Sequence, residues 1–557
     1  MEHSNKNILS AHFGHDACIG YYANGKYHNI QIEKVNGVRY SKLLSNPIEK
    51  VGNKTVTLLQ HIEDLIGDIE FDEILVPIMT YYRWDVKAES EKGVINSFLK
   101  RFSGPNTKTV TSCTHHEAHA ALGLYSSPFD KAIIVTTDGG GDNEFLTISI
   151  GDKETGITQL ASHQVNLGAL YLMGAALSGD IKSATPMAMP GKAMGLVARG
   201  KNVLPHLFRL MKLQGQSQLV PYAAELYHRE YMNTNDRAYS SVKHLWPKVE
   251  FENFLLELGM SPGGPLKLQE GQMSWDVCLT NQKVFEQLFD NFTSDLIEQY
   301  DLPIIISGGC ALNVLNNERI KKKYNREVFI PSAPDDSGLA VGKILERVRP
   351  QKQVDTHNIC PSMLDHTRLD YFKSTREHKI VTNQDIAKLL NDGKIIGYMQ
   401  GPSESGPRAL GFRSILCDPS YPKMKDILND KVKHREWFRP FAPACLKKHA
   451  SKYFDSPSYN NLEFMSFALD VKENAKEKIP AVVHEDNTAR LQTVTYKSNP
   501  YFYKLLKEFE KETGKHVLLN TSLNSWGDPI SNLIEYSLEI LDKTEMDYLV
   551  VDDVLFS

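Results

Sequence analysis

The first thirty-five positions alternate short apolar runs with turn residues. ILSAHF, ACIGYYA and YHNIQIEKV read as three strands within residues 7 to 35, and Asn24-Gly25 is the tight turn between the last two. Helical spacing of apolar residues over 58 to 66 predicts an amphipathic helix, and 73 to 79 a strand. Thr114 and Glu117 have the spacing of a capping box, so a helix is expected to start at His115. The apolar run 132 to 135 predicts a buried strand ending at Asp138, just before Gly139, Gly140 and Gly141. A strand over 145 to 150 and a helix over 167 to 177 follow, then a Gly-punctuated loop and short helix over 190 to 200 that carries Lys192. Residues 201 to 275 show interrupted helical periodicity without evident chemistry, and 276 to 300 a long amphipathic helix. Next come a buried strand at 303 to 307, the run Gly308, Gly309 to Asn313, the strand EVFIPSAP, and a helix from Asp335-Asp336 through 348. Residues 349 to 378 are irregular and are read as a linker between domains 1–348 and 379–557. The second domain is expected to hold helices at 383 to 392 and 500 to 513, and strands at 394 to 399 and HVLLN.

Composition narrows the class. A chain of 557 residues exceeds one ordinary core, and its 41% hydrophobic and 24% charged content is that of a globular protein. No apolar run approaches membrane-spanning length and MEHSNKNILSAHFG carries no signal pattern, so a cytoplasmic chain without membrane contact is expected. Seven scattered cysteines with no CxxC pair indicate neither a disulfide framework nor a cysteine zinc site. A net charge of −5 argues against a general polyanion-binding surface. The chain holds 45 Lys but 18 Arg, and residues 377 to 557 hold 19 Lys and five Arg. Those five, Arg408, Arg413, Arg435, Arg439 and Arg490, all fall in motif-like stretches. A planar fork that grips phosphate or carboxylate is something lysine cannot replace, so they are candidate oxyanion ligands.

The candidate chemistry lies in a few places. His115 and His119 sit four apart on one helical face, near enough to share a cation, with Asp138 at a neighbouring strand end. Histidines that only hydrogen-bond are the plainer alternative, and the HExxH zinc-protease spacing is absent. Gly14, His15 and Asp16 link the first two strands; such a hairpin also opens the actin-like ATPase fold, where that turn faces the nucleotide cleft, making His15 a candidate base. Strand, Gly308-Gly309 and helix start form a candidate backbone cradle for an anion. For Asp335 or Asp336, helix capping is the ordinary role. QGPSESGPRALGFRSILCDP and NDKVKHREWFRPFAP, with Lys433, have the composition of oxyanion-binding loops, and Asn520, Thr521 and Ser522 end a strand as phosphate or carbamoyl contacts.

GPSESGPRALGFRSIL, VKHREWFRPFAP, ARLQTV and LLNTSLN, with HHEAHA and DGGG before them, resemble the O-carbamoyltransferases that decorate nodulation factors and cephem, ansamycin and aminoglycoside antibiotics. The resemblance covers nearly the whole chain. It implies an α/β and α+β architecture, with an N-terminal TsaD-like domain of the actin-like ATPase class and a C-terminal YrdC-like domain. It implies that carbamoyl phosphate and ATP, entering with Mg2+, form carbamoyl adenylate on the C-terminal arginines, Lys433 and the Asn520 strand end. An acceptor hydroxyl would then attack in the N-terminal domain. By motif, His115, His119, Asp138 and Asp336 match metal ligands, with Fe2+ the expected ion. His15 matches the residue that takes the hydroxyl proton, Arg39 and Lys192 match further catalytic positions, and Gly139, Gly140, Gly308, Gly309 and Asn313 match the nucleotide cradle. Two departures fall in the acceptor-handling half: Pro190 replaces the acid two residues before Lys192, and the EERxSRxKHD signature is reduced to Glu33 through Arg39. The Lys-rich, Arg-poor composition suggests an AT-rich genome and makes a hydroxymethyl pyrimidine, free or in DNA, the first acceptor considered, with a sugar or natural-product hydroxyl as alternative. A fused threonylcarbamoyl tRNA-modifying enzyme and a non-catalytic nucleotide-binding regulator are the readings of other classes.

Overall fold

The computed structural model describes residues 6–43, 48–51, 54–77, 85–182, 185–215, 248–257, 270–455 and 461–557. Two five-stranded sheets in the N-terminal half share one topology. The first runs, edge to edge, Lys26–Gln31, Cys18–Ala23, Ile8–His12, Glu73–Val76, Lys108–Thr111. The second runs Gly156–His163, Glu144–Asp152, Lys131–Gly141, Ile304–Ser307, Val328–Phe329. In each, an antiparallel meander of three strands is extended by two parallel strands. The helix that follows each sheet packs on the other one: His115–Ser126 lies against the second sheet and Leu339–Val348 against the first. Those two helices also touch each other, which brings both helix starts and both first hairpin turns to one place.

The C-terminal half is an eight-stranded mixed sheet in the order His378–Ile380, Val554–Phe556, Tyr548–Val551, Ile396–Met399, Arg413–Cys417, Val517–Ser522, Ala442–Leu446, Gln492–Val494. Helices Asn383–Asn391 and Pro500–Thr513 cover one face with Leu390, Phe502 and Phe509.

Several expected bounds shift. The third strand ends at Gln31 and the chain turns into a short helix, Ile32–Asn36, closed by Gly37 at φ 69. The strand read over 73 to 79 is Glu73–Val76, and residues 78–84 lie outside the described ones. Of EVFIPSAP, Val328–Phe329 alone is paired, because it is an edge strand with one neighbour. The long helix spans Gln272–Gln299. Helices Pro205–Gly215 and Lys248–Glu257 belong to the 201 to 275 stretch, much of which lies outside the described residues.

The expected linker is built into the body of the protein. Asn29 N–H donates to Ile359 O at 2.9 Å, Val354 N–H to Tyr125 O at 2.8 Å, and Asp365 caps the helix His366–Thr375. Its polar composition reads as a linker, yet these backbone groups are tied down as any packed segment requires.

The halves are fastened by buried polar contacts. The Lys34 ammonium, 1% exposed, donates to the carbonyls of Glu404 and Gly406. Asn29 Nδ2 donates to Ser405 Oγ at 2.9 Å and to Ser337 O at 2.8 Å. Gly406 sits at φ 119 with its Cα facing Ser332, where a Cβ would come within 2.2 Å of the carbonyl oxygen. Gly406→Ala therefore combines backbone strain with overpacking and is expected to cost about 2 to 5 kcal/mol. Chemical denaturation should show the first unfolding transition at lower denaturant; an unmoved transition would mean the seam does not depend on this close approach.

Candidate functional site

The capping box at Thr114 and Glu117 is formed: Thr114 Oγ1 accepts from Glu117 N, and Glu117 Oε2 accepts from Thr114 N at 2.8 Å. This fixes the first turn of the helix, and His115 N–H adds a bond to Asp142 Oδ2 at 2.7 Å. His119 Nε2 then lies 3.2 Å from His115 Nε2, 3.0 Å from Asp138 Oδ2 and 3.4 Å from Asp336 Oδ1. His115 Nε2 is 3.3 Å from Asp138 Oδ2 and 3.2 Å from Asp336 Oδ1. The four ligand atoms fall within 4.8 Å of one another.

Two nitrogens and two carboxylate oxygens converging from three separate elements are the donor set of a borderline divalent cation, so the residues fit a metal. The two adjacent aspartates have divided their roles. Asp335 caps the turn through Ser337 N–H at 3.3 Å, and Asp336 joins the cluster. His116 stands apart: its Nδ1 meets Thr147 Oγ1 at 3.1 Å, and burial pushes its imidazole down to about 3.

Burial alone would lower the His115 imidazole, but the charge of Asp336 and hydrogen bonds to Asp138 and Asp336 outweigh it and hold it up at about 10. His119 is raised in the same way, against its burial, by Asp138 and Asp336. Burial opposes ionisation of Asp336, yet its histidine partners His115 and His15 hold it well below the usual carboxylate range. The two carboxylates therefore favour a proton on the rings of His115 and His119.

A cavity of about 1140 Å3 opens beside this cluster and is lined from both halves. His15, Asp16, Glu33, Asp138, Asp335 and Asp336 of the N-terminal half line it, and so do Arg408, Lys433, Arg435, Arg439 and Arg490 of the C-terminal half with Arg39; the two groups meet where Arg39 acts on Glu33 and Asp335 on Arg408. His15 faces the cavity with a 43% exposed side chain, its Nδ1 3.0 Å from Asp16 Oδ2 and its Nε2 3.6 Å from Asp336 Oδ2. Burial works against its charge, but Asp336 and Asp16 hold the ring up at about 9. Arg39 rests on the Tyr40 ring at 4.8 Å. Gly139, Gly140, Gly309 and Asn313 also line the cavity, as do Asn520, Thr521 and Ser522.

The cations crowd one another. Burial, then Arg439 and Arg490, push the Arg435 guanidinium well down, and burial, then Arg408 and Arg439, do so for Arg490. Lys433 is lowered by burial and by Arg435, Arg439 and Arg39. Arginine does not give up its proton in proteins, so for these groups the lowering measures unfavourable charge awaiting an anion. Their protein partners are mostly neutral: Lys433 Nζ donates to Ser522 O at 2.7 Å and Asn524 O at 2.8 Å, and Arg435 Nε to Asn429 Oδ1 at 2.7 Å. Arg490 Nε is buried without a hydrogen-bond partner.

Three expected site residues are placed elsewhere. Arg413 is fully buried at 0% exposure and spends its guanidinium on Asn532 Oδ1 and on the carbonyls of Gln400, Gly401 and Phe412, each within 3.0 Å. It shapes the loop and leaves no hydrogen free for an oxyanion. Lys192 is also buried and outside the cavity lining, with Nζ 2.5 Å from Glu436 Oε1 across the seam and a bond to Lys182 O. Gly308 packs on the Thr137 backbone, where a Cβ would lie 2.2 Å from the carbonyl oxygen, and it does not line the cavity.

The residue missed from sequence is Glu404. Its Oε1 accepts three backbone N–H groups, Leu410 at 2.8 Å and Phe412 and Arg413 at 3.0 Å, and so folds the loop that aims Arg408 into the cavity. Its place as the one acid in a Gly, Ser and Pro loop, among backbone amides that such a loop leaves unpaired, is the signal in the sequence that could have found it.

A cavity that combines buried cations with a metal-ligating cluster has the chemistry of an enzyme cleft. Comparison with known proteins supplies the family. The carbamoyltransferase N-terminus model matches residues 26–345 and the carbamoyltransferase C-terminus model residues 387–557. The chain is 30% identical over 459 residues to nodulation protein NolO of Bradyrhizobium diazoefficiens, covering 79% of this chain and 78% of that one. It is also 30% identical over 494 residues to the uncharacterized protein sll1178 of Synechocystis sp., covering 80% and 75% respectively. Uncharacterized protein MJ1051 of Methanocaldococcus jannaschii is 28% identical over 485 residues, covering 82% and 85%. The chain belongs to the carbamoyltransferase family.

A divalent cation at this cluster would compete with the protons that Asp138 and Asp336 favour on His115 and His119, so its affinity is expected to climb as pH rises toward about 10, the value to which His115 is raised. Anaerobic calorimetry at neutral pH in buffers of different ionisation enthalpy should record proton release; a heat independent of buffer would mean that the rings are already neutral.

Proposed function

We propose that this chain is an ATP-dependent O-carbamoyltransferase that makes carbamoyl adenylate from carbamoyl phosphate and ATP and passes the carbamoyl group to an acceptor hydroxyl. The observation that carries this reading is the set of cations crowded into one shared cavity, Arg39, Arg408, Lys433, Arg435, Arg439 and Arg490, whose hydrogen-bond partners in the protein are mostly neutral. Carbamoyl phosphate with ATP brings more phosphate oxyanions into one place than almost any other pair of small substrates. The duplicated sheet order of the N-terminal half agrees with an actin-like, TsaD-like unit, and the eight-stranded mixed sheet is the YrdC-like one on this reading.

In the first step water cleaves carbamoyl phosphate to carbamate and inorganic phosphate, and a carbamate oxygen then bonds to the α-phosphorus of ATP as pyrophosphate departs. Arg439, Arg435 and Arg490 hold the phosphates, and Asn520 Oδ1, buried without a partner, accepts from the carbamoyl NH2. Arg408, at the tip of the Glu404-templated loop, lies in the same cavity. In the second step the acceptor oxygen bonds to the carbamoyl carbon, AMP leaves, and the hydroxyl proton goes to His15 Nε2. His115, His119, Asp138 and Asp336 would hold Fe2+, which would supply Lewis acidity. Asp336 and Asp16 hold the His15 ring up at about 9, and compensation of the Asp336 charge by such a cation would favour the neutral ring that acts as base.

The acceptor is taken to be a small molecule. The basic run 319 to 326 that could have gripped DNA is neutralised within the protein. Arg319 pairs with Asp290 at 2.8 Å, Lys322 with Asp470 at 2.8 Å, Lys323 with Asp290 at 3.0 Å, and Arg326 donates to Ile297 O and Tyr300 O at 2.7 Å. A duplex base would also have to be flipped into a cavity enclosed between two halves. A hydroxymethyl pyrimidine nucleotide is the first acceptor to test, with sugar hydroxyls as the alternative.

Two variants separate the steps. Arg439→Lys keeps charge but loses the bidentate fork, and pyrophosphate release from ATP and carbamoyl phosphate should fall by about 2 kcal/mol or more in transition-state terms, at least thirtyfold. His119→Ala should retain pyrophosphate release while losing carbamoyl transfer. Near-normal release from the first, or equal loss of both steps from the second, contradicts the division of labour.

Incubation with ATP, carbamoyl phosphate and hydroxymethylcytidine monophosphate or hydroxymethylcytosine DNA should yield the carbamoyl mass increment on the free nucleotide. An increment confined to an aminoglycoside would move the acceptor to the sugars, and dependence on threonine and bicarbonate would replace the donor chemistry.

A further inference from the structure

Far from the chamber lining, a second set of potential ligands gathers on the covered face of the C-terminal sheet. His449 ends the turn Lys447–His449, which directly follows the strand Ala442–Leu446. Glu510 projects from the helix Pro500–Thr513, and His516 immediately precedes the strand Val517–Ser522. The antiparallel register that pairs Cys445 with Val517 brings the two histidine segments together, and their rings lie 4.1 Å apart. His449 Nε2 is 2.9 Å from Glu510 Oε1, and His516 Nε2 is 3.8 Å from the same oxygen. One ligand atom from each residue falls within 4.8 Å of the others.

An ordinary ion pair accounts for half of this arrangement. His449 and Glu510 make a hydrogen bond, but His516 is too far from Glu510 to make a second one, and two adjacent imidazolium rings would repel. The remaining hydrogen bonds leave ligand atoms free to meet at one point. The Tyr453 hydroxyl lies 2.9 Å from His516 Nδ1, so that with the Nδ1 proton donated to the phenol oxygen the Nε2 lone pair is turned toward the cluster. The other carboxylate oxygen of Glu510 is held by Lys448 at 3.1 Å, which leaves Oε1 for the cluster. Lys452, exposed, approaches His516 Nε2 at 3.5 Å and is the one cation that would have to swing aside.

We infer that His449, Glu510 and His516 form a zinc site, with water completing the coordination. Two imidazoles and one carboxylate are a donor set that Zn2+ takes in proteins. The site clips the helix Pro500–Thr513 to the two strands whose far ends matter most to the chamber. Val517–Ser522 carries Asn520, Thr521 and Ser522, and Ala442–Leu446 follows directly on Arg439, Pro440 and Phe441. Because a metal bound to the folded chain alone stabilises it by mass action, zinc here would stiffen the adenylate-forming half without touching substrate.

The test uses the full chain stripped with a chelator and titrated with Zn2+, read by elemental analysis, and with Co2+, read by visible absorption. His119→Ala removes the chamber metal, and this protein should still bind one equivalent of Zn2+ per chain, give the intense bands of tetrahedral Co2+, and melt at a higher temperature with zinc than without. Adding His516→Ala should abolish all three responses, whereas Tyr453→Phe should weaken zinc binding about tenfold or more. Should the His516→Ala protein fail to fold, Glu510→Gln takes its place. No zinc bound to the His119→Ala protein, or undiminished binding after His516→Ala or Glu510→Gln, overturns the assignment.

Discussion

Mutual repulsion among buried cations is the constraint around which the C-terminal half is built. Guanidinium and ammonium groups brought together away from water cost several kcal/mol each unless neutralised. Here the partners are chiefly carbonyls and amides: Ser522 and Asn524 for Lys433, Asn429 for Arg435, and the aromatic face of Phe441 at 4.4 Å from the Arg435 guanidinium. Neutral acceptors hold geometry without cancelling charge. One carboxylate stands among them: Glu436 reaches Arg439 at 3.8 Å while its other oxygen is taken by Lys192. The result is a fixed positive field whose energy is recovered when phosphates enter, which is the preorganisation that electrostatic catalysis depends on.

Holding such a field needs a scaffold, and the scaffold runs through the seam between the halves. Glu404 orders the Arg408 loop from inside by accepting three amides, and Arg413 orders the same loop by donating to its carbonyls. Lys34 then ties the loop's carbonyls to the N-terminal half. All three charges are buried and committed to backbone groups, so each would leave several orphaned partners if lost. Arg39 crosses in the opposite sense, carrying one more positive charge from the N-terminal half toward Lys433 and Arg408. The cavity is therefore a property of the joined chain, and neither half on its own contains it.

Much of this was legible in the residues, and the reasons for the exceptions are physical. The capping box fixed where the histidine helix begins, and with it the ring positions, because local hydrogen bonding decides that start. Arginine in a lysine-rich chain marked the cationic wall at four of five positions, since bidentate geometry and not charge set the choice. Arg413 shares that residue type because burying a planar five-donor group against carbonyls demands the same fork, so composition cannot separate the two uses. Lys192 and Glu404 escaped because their partners lie 244 and at most nine residues away in arrangements that no period announces. The packing of the segment 349 to 378 was illegible for a similar reason: polar, Pro-containing sequence describes surface chain equally well whether it is free or bonded along its length.

The two sets of charges in the cavity make opposite demands on one ligand. Arg408, Arg435, Arg439 and Arg490 attract an anion, whereas Asp16, Glu33, Asp138, Asp335 and Asp336 line it with His15. Burial and neighbouring carboxylates push Asp335 up to about 7, a sign of how much negative charge is compressed there. An adenylate phosphate held by the arginines would be repelled from His15 unless that charge were offset. On the proposed reading this is why the ligand quartet sits between the two turns, at the point where both helix starts meet. On that reading, charge compensation of Asp138 and Asp336 would both admit the phosphate and release the proton from His15, so that the base is ready only when the donor can be bound.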